Sequence, residues 1–402
     1  MALAATPSAP SATIGRQSLL FVTGCLFEES SGPYLSLKQT AEALQQRGHA
    51  VTVVGTKPWR AGQPRGWFGE VLAFRRYGPV SAHFAPHLGQ WLRQQPARWE
   101  VASMQGVWMH TNHLVAEWCI RHDRPFMITA HGNFNPVALR ISAWKKSLAR
   151  RTFMRRVFER VRCYQALTEI EYQTLRAYGI REPVCIIGNG ITRPILARLS
   201  SPETLLPCDL LQRRTCLYLG RLFPIKGIDR LLRAWATVRP GDEWQLVIAG
   251  GGEATYRAEL EYIAQRSGCL NVHFVGFVSG SLKSAWLQQA EFFVLPSHSE
   301  AFPMASLEAF SFGKPALLTA ACGLPEAAKA GAALEVPSSE AGIRDGLMQL
   351  QSKSKAELNA MGSQAMALIR ERYDWEVICR QLESVYDWMC GSSQIPDCLR
   401  LD

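Results

Sequence analysis

Glu300 and Glu308 are separated by seven residues in Ser-Glu-Ala-Phe-Pro-Met-Ala-Ser-Leu-Glu. Carboxylates so spaced can move protons or hold hydroxyls. Glu300 follows the apolar run Ala-Glu-Phe-Phe-Val-Leu-Pro, which reads as a buried parallel strand entering a loop. Glu308 lies roughly two turns into the stretch from Met304 to Phe312, of helical composition and stopped by Gly313. The amides of Phe302 to Ala305 would then open a helix, a seat that favours an anion. Two hydroxyl acceptors flanking such a seat suit a nucleotide sugar: one Glu for ribose, amides for pyrophosphate, one Glu for the sugar. The plainer alternative is a pair of solvated acids complementing a helix dipole.

Cations stand near a second strand end. In Tyr-Leu-Gly-Arg-Leu-Phe-Pro-Ile-Lys-Gly, Arg221 falls just past a strand and Lys226 in the loop before a helix. Arg by its fork and Lys as a point charge can grip a diphosphate; otherwise they are loop cations in solvent. Val-Ile-Ala-Gly-Gly-Gly-Glu, ending at Glu253, is a strand and a glycine-rich turn, where backbone can approach a ligand or a helix can pack closely. It lacks the spacing of the dinucleotide fingerprint. Gly276 and Phe277 end another strand at the same rim and could seat a nucleobase. In the first half, Ser31-Gly32-Pro33 follows the first strand, and Ile-Thr-Ala-His-Gly ends a strand at His131. Thr168-Glu-Ile-Glu171 has the form of a capping box and is assigned to structure only. Asp-x-Asp, zinc spacings, a nucleophile elbow and a Walker loop are all absent from the sequence, so no metal or cofactor is expected.

These residues need a scaffold of alternating strands and helices. Apolar runs at Leu19–Thr23, Ala50–Val54, Val101–Met104, Phe126–Thr129, Cys163–Leu167 and Cys185–Ile187 read as strands of a first half. After a polar linker from Thr192 to Arg213, the pattern restarts at Cys216–Leu219, Trp244–Ala249, Val272–Phe274, Phe292–Leu295 and Ala316–Thr319. Strand–helix alternation implies right-handed crossovers and parallel sheets, with ligands beyond the carboxyl ends of the strands. The fold class is therefore α/β, two Rossmann-like domains facing across a cleft. The expected division is a disordered tail over 1–16, a first domain over 17–195 and a second over 196–374. A C-terminal helix over 375–402 is expected to pack back on the first domain.

At 402 residues two domains are the default. No apolar stretch approaches the ~20 residues that span a bilayer. The eleven scattered cysteines read as reduced thiols in a cytoplasmic protein. The run from Leu19 to Cys25 superficially resembles a lipoprotein signal, but the same residues are needed as the first strand. The net charge of +10 is uneven: 140–162 carries nine Lys or Arg against one acid, Glu159. Trp144, Leu148, Met154, Val157, Phe158 and Val161 recur there at helical spacing, so one or two basic amphipathic helices are expected. An anionic membrane surface is the partner that such a face attracts; no nucleic-acid reader motif accompanies it.

Taken in order, Ser-Gly-Pro, Arg-Gly-His-Ala-Val-Thr-Val at 47–53, Ile-Ile-Gly-Asn-Gly-Ile at 186–191, Gly-Arg…Lys-Gly and the spaced glutamates resemble the retaining glycosyltransferases of family four. The likeness runs from Leu19 to about Met389. The stretch from His131 through Asn135-Pro136 to Lys145-Lys146 is similar to a bacterial subgroup building exopolysaccharides and O-antigens. The resemblance implies the GT-B fold and metal-independent transfer from a nucleotide sugar to a glycan or lipid-linked sugar, on the inner face of the plasma membrane. It implies that Glu308 holds the ribose, Glu300 the donor sugar, and Arg221 with Lys226 the leaving diphosphate. The backbone of Phe302, Pro303 and Met304 would touch sugar and phosphate, His131 would lie near the donor sugar, and Gly32 would let the first domain, over 17–195 and acceptor-binding in the family, close on the diphosphate held by the nucleotide-sugar domain over 196–374. Ala301 stands where the family usually has Gly, and Ser31 replaces the first Gly of a pair. An epimerase or sugar phosphorylase on the same fold, or an idle membrane-associated binding protein, are the other readings.

Overall fold

The computed structural model describes residues 16–27, 32–62, 64, 66–67, 69–194, 201–238, 243–269 and 271–402. The expected N-terminal tail, all but residue 16, and Ser31 lie outside the described residues. Two parallel-type sheets organise the rest. The first contains β1 (Ser18–Cys25), β2 (Ala50–Lys57), β3 (Glu70–Arg75), β4 (Val101–Gln105), β5 (Phe126–Thr129), β6 (Cys163–Ala166), β7 (Val184–Ile186) and a final strand at Leu399–Arg400. Its order is final strand, then β7-β6-β5-β4-β1-β2-β3, and the β1–β2, β2–β3, β1–β4 and β4–β5 pairs run parallel. The second comprises β8 (Arg214–Leu219), β9 (Trp244–Ala249), β10 (Val272–Gly276), β11 (Ala290–Leu295), β12 (Ala316–Thr319) and β13 (Ala333–Val336). Its order is β10-β9-β8-β11-β12-β13, and all five pairs are parallel.

Burial explains why these runs become central strands. Every residue of β9 is buried, as are Thr215–Leu219 of β8 and Phe292–Leu295 of β11. A strand covered on both faces reads as a continuous apolar run rather than an alternation. Trp235, Trp286, Phe292, Phe293 and Phe310 fill the core around the second sheet.

The chain packs as two compact units: the described residues within 1–129 with 143–164 and 379–399, and 130–142 with 165–378 and 400–402. The segment 130–142, with His131, therefore belongs to the second unit. Within the first unit, the helix Trp375–Met389 contributes Glu383, whose carboxylate is 1% exposed and accepts from Arg47 Nε at 2.6 Å. His49 Nε2 lies 3.0 Å from the same carboxylate, and Gln17 Nε2 donates to Asp387 at 2.7 Å.

Two expectations are corrected. The linker from Thr192 to Arg213 is not wholly irregular, because short helices form at Pro202–Thr204 and Cys208–Leu211 and bury Leu206 and Leu210 in the core. The basic segment forms two helices, Ala143–Arg151 and Arg155–Arg160, but its apolar residues do not share one packed face. Met154, Val157 and Val161 are buried, whereas Trp144 and Leu148 stand exposed at 69% and 56%.

Candidate functional site

The site lies in the second unit, at the carboxyl ends of β8, β9 and β11. β11 ends at Leu295, and the loop that follows carries Ser297 and Glu300 before the helix Met304–Ser311 begins. Glu308 is the fifth residue of that helix, in its second turn. The loop is fixed from several sides. The Ser297 carbonyl accepts from Thr319 Oγ1 at 2.6 Å, the His298 amide donates to Ile225 O at 2.8 Å, and Arg230 Nη2 donates to Pro296 O at 2.9 Å.

Ile225 and Lys226 belong to the single turn Pro224–Lys226 after β8. The His298–Ile225 bond thus brings Lys226 to Glu300: Nζ donates to Oε1 at 2.7 Å and Oε2 at 2.8 Å. Ser297 Oγ donates to the same carboxylate at 2.5 Å. The Glu300 side chain is 7% exposed, and these donors meet the need of a buried polar group for partners. Glu308 is also matched to a lysine. Lys283, on the helix Gly280–Gln289, donates to Glu308 Oε1 at 2.8 Å.

Arg221 is placed differently. It is exposed at the exit of β8, its guanidinium 5.1 Å from the Phe223 ring centre, and among the described residues no carboxylate pairs with it. Its loop is set by glycine packing. The Leu222 amide donates to Gly251 O at 2.8 Å, and a side chain at Gly250 would run into the Gly220 carbonyl. The triple glycine therefore presses one loop backbone against another, beneath Arg221, rather than opening a surface for a ligand.

The other residues expected at the site divide. Phe302 is a core residue: its ring packs 6.1 Å from that of Tyr373, and any side chain at Gly188 would collide with it. Only its backbone can face a ligand. Pro303 is buried at the start of the helix, and Met304 is half-buried. Gly276 closes β10 and accepts from the Gly250 amide at 2.7 Å, which sets Phe277, 72% exposed, beside the glycine loop. Gly32, in the first unit, opens the helix Gly32–Gln46, where an added Cβ would meet nothing within 4 Å.

His131 follows β5 with a left-handed backbone, φ 48°. Burial lowers its imidazole to about 4, so it is neutral near pH 7 and can share a hydrogen bond rather than a charge. Four residues on, Asn135 Nδ2 donates to Ser299 Oγ at 3.2 Å, linking this turn to the Glu300 loop. Asn135, Lys283 and Ser297 were not singled out as site residues in the sequence. Asn135 and Lys283 meet their partners only through the fold, whereas Ser297 reaches Glu300 three residues on, within the same loop. Among the described residues, no group of three or more His, Cys, Asp or Glu is placed to hold a metal.

Solved structures establish the class of this architecture. The HepE protein of Anabaena, in complex with UDP and glucose, superposes with a TM-score of 0.72 over 93% of this chain and 100% of its own, at 16% identity. At that identity the likeness is one of fold, the two-sheet α/β GT-B arrangement. Two family descriptions then match in tandem, Glycosyltransferase Family 4 over residues 35–193 and Glycosyl transferases group 1 over residues 211–366. Between them they take in most of the chain, and it belongs to the family 4 glycosyltransferases. Among curated relatives, the D-rhamnosyltransferase WbpZ of Pseudomonas aeruginosa is 35% identical over 35% of each chain. The GDP-mannose:cellobiosyl-diphosphopolyprenol alpha-mannosyltransferase of Xanthomonas campestris is 29% identical over 46% of this chain and 50% of its own. The chain spans about a third to a half of the length of the curated relatives it matches.

Proposed function

We propose that this chain is a retaining glycosyltransferase moving a sugar from a nucleoside-diphosphate donor to a glycan or lipid-linked acceptor in surface polysaccharide synthesis. The observation that carries the reading is the placing of Arg221, Lys226, Glu300 and Glu308 in the segments that follow the carboxyl ends of β8 and β11, with the turn of His131 and Asn135 bonded to the Glu300 loop. Glu308 holds the ribose, Glu300 the hydroxyls of the donor sugar, and Phe277 offers an apolar face for the base. The bond from the anomeric carbon to the diphosphate breaks with its electron pair leaving on the diphosphate, through an oxocarbenium-like state. Arg221 and Lys226 neutralise that leaving charge without a metal. The acceptor oxygen attacks on the face the diphosphate leaves, and its proton passes to a departing phosphate oxygen. The rhamnosyl- and mannosyltransferase relatives support an acceptor of the surface-glycan kind.

A panel of nucleotide sugars tested by thermal shift and then with labelled donor and product analysis checks the whole reading. A labelled glycan product supports it; an interconverted nucleotide sugar or a sugar phosphate replaces it with an epimerase or a phosphorylase. Glu308→Ala is expected to weaken binding of the free nucleotide by about 1.5–3 kcal/mol, the range for a hydrogen bond to a charged group. Calorimetry reads this directly, and unchanged affinity removes the ribose role.

The second part of the proposal is contact with an anionic bilayer. Among the described residues no helix is long and apolar enough to cross a membrane. On Ala143–Arg151, however, exposed Trp144 and Leu148 stand among Lys145, Lys146, Arg150 and Arg151. An exposed apolar pair among cations suits the interface of an anionic bilayer. Each basic residue at such a surface contributes roughly 1 kcal/mol, so Lys145→Ala with Lys146→Ala should weaken vesicle binding by about tenfold or more. Sedimentation with anionic and neutral vesicles measures this, and no preference for anionic lipid discards it.

A further inference from the structure

The turn that carries His131 is held by a carboxylate that the proposed reaction does not use. His131 and Gly132 both have left-handed backbone, φ 48° and 73°. At a non-glycine residue that conformation costs roughly 1–3 kcal/mol and lasts only where the surroundings impose it. Here the imposing group is Glu171, on the helix Glu169–Tyr178. The Gly132 amide donates to Glu171 Oε1 at 2.5 Å, and the Leu167 amide donates to Oε2 at 2.7 Å. Thr168 caps the helix by accepting from the Glu171 amide at 3.1 Å. The reciprocal half of the expected capping box is missing because the carboxylate has been spent on the turn instead.

The same turn abuts both flanks of Glu300. Asn135 bonds Ser299, and a Cβ at Gly132 would stand 3.3 Å from that of Ala301. Glu171 is 6% exposed, and burial raises its carboxyl to about 7 against the opposing pull of the Leu167 and Gly132 amides. Among the described residues no cation pairs with it, and a buried carboxylate held by amides alone is a poor way to stabilise a fold, so its value lies in the geometry it imposes.

We propose that Glu171 is a positioning residue for sugar transfer, clamping the Leu167 and Gly132 amides so that the His131–Asn135 turn is held against the Ser299–Ala301 segment. This rests on the reading of that segment as the donor-sugar site. A neutral Gln at 171 keeps one acceptor oxygen but presents an NH2 group to the other amide, which opens one side of the clamp.

The test uses Glu171→Gln in the full chain, with Glu171→Asp as the variant that keeps the charge on a shorter arm. Because misplacement by about 1 Å can cost on the order of a hundredfold in rate, kcat is expected to fall about tenfold or more in the Gln variant. The inhibition constant of the free nucleoside diphosphate and the thermal midpoint should hold near their wild-type values. Hydrogen exchange in the peptide spanning 130–136 should accelerate, and the Asp variant should fall between. An unchanged kcat beside an active wild type overturns the proposal. So does a loss of rate matched by equal losses of nucleotide affinity and thermal midpoint, which marks a merely structural residue. If the wild type transfers no sugar from any donor, the functional reading itself fails. Exchange at 130–136 still decides the clamp in that event, and unchanged protection there overturns it.

Discussion

Arg221→Ala is expected to lower kcat for sugar transfer by roughly a hundredfold or more, the usual cost of removing one preorganised donor from a developing anion. Lys226 reaches Glu300 with both of its short bonds, and Lys283 reaches Glu308. Each of those cations already has a carboxylate to neutralise. Arg221 has none among the described residues, and it stands exposed on a loop whose backbone is braced by Gly250 and Gly251. Its charge is therefore the one most fully available to a leaving diphosphate. Arg221→Lys should restore only part of the rate, since a point charge cannot reproduce a planar fork. Steady-state kinetics with the donor identified by the panel decides the matter. An unchanged kcat discards the leaving-group role, and a rise in KM alone would reduce Arg221 to ground-state binding.

Glu383→Ala is expected to destabilise the protein by about 3–5 kcal/mol, the loss seen when one partner of a buried ion pair is removed. The carboxylate is almost wholly buried and serves Arg47 and His49 together, so its removal takes an acceptor from both. At about 2–4 °C per kcal/mol for a domain of this size, the unfolding midpoint should drop by on the order of 10 °C. The pH dependence has a definite sign. Burial taken alone would raise the Glu383 carboxyl, but the His49 and Arg47 bonds outweigh it and leave the group below its ordinary value. A depressed carboxyl contributes stability above its unfolded value and loses it as the pH falls through the folded one. The gap between wild type and Glu383→Gln should therefore be full near neutrality and close in acid. A midpoint within a degree of wild type at pH 7 would show that the cluster is decorative.

The central strands β8, β9 and β11 of the second sheet were legible because they are buried on both faces and carry unbroken apolar runs, as in Leu-Val-Ile-Ala and Phe-Phe-Val-Leu. β3 escaped because Glu-Val-Leu-Ala-Phe-Arg lies at a sheet edge with only Ala73 buried, so nothing forces a continuous apolar run. β13 escaped for a similar reason: it lies at an edge of the second sheet, with Leu334 half-buried and Glu335 exposed. Within the site, the strand-end positions of Arg221 and Glu300 and the helical position of Glu308 followed from local pattern. For Phe302 the expectation concerned its backbone; that its ring turns into the core beside Tyr373 was not legible, because an aromatic beside a helix start gives no sign of where its ring packs. Lys283 and Glu171 were invisible as partners for a different reason: a lysine twenty-five residues from its carboxylate, or an acid thirty-nine from its amide, acquires meaning only through packing. The capping-box spacing held for Thr168, which accepts from the Glu171 amide, but the Glu171 carboxylate accepts from the Leu167 and Gly132 amides rather than from the cap residue.

The lysine–glutamate pairs of the site bear on how a donor arrives. A cation already matched by a neighbour casts a weak field into solution, whereas an unmatched one is felt out to a screening distance of about 8 Å at physiological ionic strength. The long-range attraction felt by an approaching diphosphate thus comes largely from Arg221, with the lysines engaging only after contact and exchange of partners. Association should therefore slow with added salt as for a single charge rather than three, while release stays governed by the short-range exchange.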